Sequence, residues 1–231
     1  MFKIAVIAGT PVDTRMGVEY IEGKNGPGAE IELQPVYMPV SEDCDAQVRF
    51  QYSDDAAKKR RMDEIFDAAI ADGIEDFFIY CNSLSGAFDF DTYAVEKGVR
   101  IYTPLQQYHR LGQVYSRVGV IAANNLSAYN IEKHLRADNE DIYVIGSGNM
   151  AIVNSIEHGL APEEIIEKCG LRHFVDYLAA CGSQALLLGC THFPYLKEEL
   201  RGYCRIPLVD PADEMYKAMT EAIQKQHRDI G

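Results

Sequence analysis

Short apolar runs alternate with amphipathic stretches along this chain. Lys3 to Ala8 (KIAVIA) is a β-branched apolar run that stops at Gly9-Thr10, which predicts a buried strand entering a loop. Glu30 to Tyr37 predicts a second strand. From Asp55 to Asp72 the apolar positions Met62, Ile65, Phe66, Ala69 and Ile70 share one helical face, and Gly73 closes the helix. Asp76 to Tyr80 (DFFIY) predicts a strand ending at Cys81, and Val99 to Tyr102 another, stopped by Thr103-Pro104.

The pattern then restarts. Arg117 to Ala122 (RVGVIA) nearly copies Lys3 to Ala8, and Gln184 to Leu188 (QALLL) runs into Gly189-Cys190 as DFFIY runs into Cys81. The matching pieces lie roughly 110 residues apart, the mark of two similar halves. Strands alternating with helices predict an α/β protein of two similar halves, each a mostly parallel sheet flanked by helices. The first half is expected to span 1–98 together with 206–231, and the second 99–205, with the active site in the cleft between them. Parallel sheets bind ligands at the carboxyl ends of their strands. Both Cys81 and Cys190 are expected there.

Composition narrows the classes of function. The chain has 231 residues, 47% hydrophobic and 25% charged, enough for a sizeable core. No stretch approaches the roughly 18 apolar residues of a membrane span, and Met1-Phe2-Lys3-Ile4 lacks a signal-peptide layout, so a cytoplasmic protein with no membrane partner is expected. A formal net charge of −13 argues against a nucleic-acid partner. The one basic run, Lys58-Lys59-Arg60-Arg61, falls among acids on the predicted helix and reads as a solvated face.

The six cysteines contain no C-x-x-C pair, so zinc and dithiol signatures are missing and no metal is expected. A free cysteine is ordinarily a small core residue. Two of the six differ, because each ends a predicted strand and is followed by polar residues: Cys81-Asn82-Ser83 and Cys190-Thr191-His192-Phe193-Pro194. If a helix starts after each, its free N–H groups and dipole favour the thiolate. A thiolate is a base.

The stretch Leu188-Gly189-Cys190-Thr191-His192-Phe193-Pro194-Tyr195-Leu196 resembles the second cysteine signature of the aspartate/glutamate racemase superfamily, closest to its glutamate racemase branch. Tyr80-Cys81-Asn82-Ser83 resembles the first, and Ile206-Pro207-Leu208-Val209-Asp210 the last strand of that family. The resemblance implies a two-base racemisation without a cofactor, in which one cysteine as thiolate removes the Cα proton while the other as thiol delivers one to the opposite face. The substrate it implies is an amino acid, aspartate or glutamate first, and a homodimer is allowed.

Residue by residue, the resemblance makes Asn82, Ser83 and Thr191 holders of the substrate's carboxylate and ammonium groups; helix capping is their other reading. His192 matches the histidine that tunes the second thiol, and Glu157, before His158-Gly159, resembles an acid near the site, with surface exposure as its other reading. The family's acidic-serine-glycine turn is replaced here by Gly9-Thr10-Pro11-Val12-Asp13-Thr14. Thr10, Asp13 and Thr14 are the candidates there, Asp13 acting on Cys81 as a further catalytic residue. Ser41, in Pro39-Val40-Ser41, falls in the substrate loop, and Asn124 and Asn125 follow the repeated strand, where turn formation is the competing role. A distal carboxylate would need a donor, and Arg15 and Arg49 lie in or near these loops, where either could form a bidentate clamp, a solvated arginine being the favoured reading of each. Two alternatives stay open: related chemistry of the superfamily, such as maleate isomerisation through a nucleophilic cysteine or hydantoin racemisation, and a non-catalytic small-molecule-binding protein.

Overall fold

The computed structural model describes residues 2–27 and 31–230. The chain divides into two compact units, Met1–Pro104 with Ala212–Gly231, and Leu105–Pro211. The boundaries expected after 98 and after 205 thus fall later. The reason is strand pairing. Residues 100–102 pair with the strand that ends at Cys81, and residues 208–209 with the one that ends at Cys190.

The first unit runs β1 (Phe2–Ala8), α1 (Pro11–Lys24), β2 (Leu33–Pro39), α2 (Cys44–Gln51), α3 (Asp55–Ala71), β3 (Asp76–Ile79), α4 (Asn82–Ala87), α5 (Phe90–Lys97) and β4 (Arg100–Tyr102). Its sheet has the order β2-β1-β3-β4, every pair parallel. The second strand starts at Leu33, later than its apolar pattern suggested, and Glu30 lies outside the described residues. All four residues of β3 are buried, as are Ile4 to Ala8 of β1, because helices cover both faces of a central parallel strand. Phe66 of α3 stacks on Phe77 of β3 with ring centroids 4.2 Å apart, and Gly73 ends α3 at φ +78°, where a side chain would be strained. At the amino end of the sheet the buried Asp76 is held by Arg100 through two bonds of 2.7 Å and by the Tyr102 hydroxyl.

The second unit repeats this plan with α6 (Pro104–Val114), β5 (Arg117–Ala122), α7 (Asn125–Arg136), β6 (Tyr143–Gly148), α8 (Met150–Glu157), α9 (Pro162–Lys168), α10 (Leu171–Ala180), β7 (Leu186–Gly189), a 3-10 turn (Phe193–Leu196), α11 (Lys197–Arg201) and β8 (Leu208–Val209). The sheet order is β6-β5-β7-β8, again all parallel. The two sheets therefore share one topology, as the copied strands β1 and β5 implied. The last helix, α12 (Pro211–Ile230), returns to the first unit, where Ala212, Met215, Met219 and Ile223 join its core. Among the described residues no helix is long and apolar enough to cross a membrane.

Candidate active site

In the first unit three loops follow the carboxyl ends of β2, β1 and β3. Since β1 lies between the other two, these loops sit side by side, one strand spacing of about 4.8 Å apart. Cys81 ends β3 and is the N-cap of α4, in extended conformation and with no side-chain capping bond. Its Sγ lies 3.3 Å from Ser83 Oγ, and the Ser85 hydroxyl donates to its carbonyl. Asn82 is buried beside it.

The loop after β1 is built by a capping box. Thr10 is the N-cap of α1, and Asp13 accepts from the backbone N–H groups of Gly9 (3.2 Å) and Thr10 (2.6 Å) and from the Thr10 hydroxyl. The Thr14 hydroxyl donates to the Thr10 carbonyl at 2.6 Å. These three residues thus knit one turn together. Ser41, after β2, donates its N–H to the Gly9 carbonyl and its hydroxyl to Gln47 Oε1 of α2. Arg61 of α3 donates Nε to the Val40 carbonyl at 3.0 Å and also reaches that of Pro39. The basic run is accordingly more than a solvated face: Arg61 braces the expected substrate loop, while Lys59 pairs with Asp63 and Glu96. Arg15 and Arg49 are both exposed.

In the second unit Cys190 follows β7 and is buried with Thr191 and His192. Its Sγ lies 3.5 Å from His192 Nδ1, and His192 Nε2 lies 2.9 Å from Glu157 Oε1, at the end of α8. A carboxylate on Nε2 holds the proton there and leaves Nδ1 as the acceptor facing the thiol. Thr191 Oγ1 is buried and has no partner among the described residues. The segment after Cys190 is a turn and a 3-10 turn, with an α-helix only from Lys197. The helix dipole expected behind this thiol is therefore missing directly after Cys190, and His192 with Glu157 stands beside the sulfur instead. Asn124 caps α7 by accepting from Ser127 N, and Asn125 Oδ1 accepts from Gly148 N, the turn-forming alternative for both.

Pattern reading missed Gln47, Arg61 and Tyr108. Tyr108 of α6 is fully buried, and its phenol is pushed well above its usual value by burial first, then by the charges of Asp210 and Cys190. Nothing in a helical tyrosine distinguishes that neighbourhood from ordinary core. Among the described residues no three His, Cys, Asp or Glu side chains gather as for a metal ion.

No protein-family profile matches the sequence. The chain is 31% identical over 114 residues to a glutamate racemase of Limosilactobacillus reuteri, a stretch that covers 47% of this chain and 42% of the relative. The chain thus spans less than half the length of that curated relative. Its fold is similar to that of a glutamate racemase from Francisella tularensis solved in complex with D-glutamate, with a TM-score of 0.73 at 18% identity, covering 98% of this chain and 82% of the other. It is also similar to an aspartate racemase from Picrophilus torridus, with a TM-score of 0.63 at 14% identity, covering 96% and 94%.

Proposed function

We propose, from its kinship in sequence and fold with the aspartate/glutamate racemase superfamily, that this chain is an amino-acid racemase whose two bases are Cys81 and Cys190. One observation carries the reading. The two sheets share a strand order, and in each a cysteine stands at the carboxyl end of the equivalent strand, β3 and β7. Inversion of a stereocentre requires one base for each face, and two thiols in equivalent places of a repeated fold support that reading.

In the proposed cycle a thiolate takes the Cα proton, and the opposite thiol gives its own proton to the carbanion. The roles of the two sulfurs are then exchanged, and the opposite enantiomer runs the reaction backwards. His192, oriented by Glu157, accepts the Cys190 S–H proton and returns it, so Cys190 can enter either role. For Cys81 the Ser83 hydroxyl is a close group. The carbanion needs donors on the α-carboxylate; we assign these to Asn82, Ser83 and Thr191, the last with a buried hydroxyl that has a bond to spare. Aspartate and glutamate are the substrates to try first.

The test is a panel of amino-acid enantiomers in deuterium oxide, followed by NMR without added pyridoxal phosphate. Wild-type protein should replace Cα hydrogen by deuterium from both enantiomers of its substrate. Cys81→Ala and Cys190→Ala should each slow racemisation by about 10²-fold or more. Near-normal rates in both variants would refute the thiol pair.

A further inference from the structure

Gln47 is a buried amide on a short helix whose neighbours Asp45 and Arg49 are exposed; the glutamine itself is 5% exposed. The Ser41 hydroxyl donates to its Oε1 at 3.1 Å and so fixes the amide. Its Nε2, shut off from solvent, has no hydrogen-bond partner among the described residues. Leaving such a donor unmet destabilises the fold, a penalty that a leucine filling the same space would not carry. The side chain also needs Gly9: a Cβ there would come within 2.7 Å of Gln47 Cδ. Finally, α2 packs against α4, the helix that begins after Cys81. The orphan amide therefore sits among the loops that follow β2, β1 and β3.

We infer that Gln47 Nε2 is the donor for the side-chain carboxylate of an acidic amino-acid substrate, and so a specificity-determining residue of this protein. The inference rests on the racemase reading. An anion entering a protein with a net charge of −13 needs N–H donors; Arg15 and Arg49 are exposed, and Arg61 is engaged by the Val40 and Pro39 carbonyls and Glu64. A neutral amide held by Ser41 offers N–H groups to a carboxylate in a place closed to water. Gly9, on which the amide rests, follows β1, the strand next to the one that leads to Cys81. One strand spacing, about 4.8 Å, is of the order of the span from Cα to the far carboxylate of an extended glutamate.

Gln47→Glu keeps an acceptor for Ser41 but places a negative charge where Nε2 was. With aspartate or glutamate, whichever wild type turns over, KM should rise about tenfold or more while kcat changes far less, the pattern of lost ground-state binding. Gln47→Leu should raise KM in the same direction, and it guards against a folding defect peculiar to the new charge; circular dichroism checks both. An unchanged KM in both variants, or tighter binding by Gln47→Glu, overturns the assignment. Titration calorimetry with aspartate and glutamate separates the two readings. Should wild type exchange no Cα hydrogen from any amino acid, the racemase reading fails. Weaker binding of these ligands by Gln47→Glu would still support the donor, whereas equal binding, or none to wild type, would remove it.

Discussion

A carboxylate at the carboxyl end of a helix faces the negative end of the dipole, at a cost of about 0.3–1 kcal/mol. Glu157 is such a residue, the last of α8, yet its side chain is only 15% exposed and lies 2.9 Å from His192. The bond to the imidazole offsets that cost and fixes which nitrogen faces Cys190. In the proposed cycle Glu157 is a positioning residue, acting on the thiol through His192. Glu157→Gln keeps the shape and removes the charge. The two enantiomers have equal free energies, so kcat/KM must fall equally for both, by about 10²-fold if the relay is general acid-base machinery. The deuterium isotope effect and its pH profile should change most for the enantiomer that Cys190 deprotonates. A merely structural role would instead lower both rates with isotope effects unaltered.

At the scale of elements, much was legible because the period of the apolar residues is a direct consequence of burial. β1, β5 and α3 follow it closely, and DFFIY and QALLL lead to strands that stop just before the cysteines. What escaped is short or polar. β8 has only two residues, too few to show a period, and α2 carries buried glutamines, Gln47 and Gln51, which read as surface. The His192–Glu157 bond joins positions 35 residues apart, and no local pattern records such a contact. Between α3 and α5 a charge network was equally hidden: Asp63 accepts from Lys97, Tyr93 and Lys59. These donors, the Lys97 bond foremost, pull the Asp63 carboxyl from 3.8 down to about 2. A folded value below the unfolded one stabilises above the unfolded value and is lost as pH falls from about 4 towards 2. The side chain is 32% exposed, so solvent screening limits the gain to about 1 kcal/mol or less. Thermal melts of Asp63→Asn should lie below wild type at pH 7 and converge with it near pH 2; a gap that persists there would assign the effect to packing.

At the scale of the molecule, the chain leaves the first unit after Pro104 and comes back to it with α12. The apolar stripe of this helix, Ala212, Met215, Met219 and Ile223, completes a core that also holds β1 and β3, while Val118, Val120, Leu135 and Leu187 belong to a separate cluster. A chain with two cores need not unfold in one step. The first unit cannot be finished until the second has been made, because α12 follows the whole second unit in sequence. Met219 is fully buried in that helix, and Met219→Ala should cost about 2–5 kcal/mol of stability through the cavity it leaves. We expect hydrogen exchange to show the loss of protection in β1 to β4 and α12, with β5 to β8 keeping theirs. Equal loss across both sheets would mean instead that the two cores melt as one cooperative body, and that α12 stabilises the whole chain rather than the unit it completes.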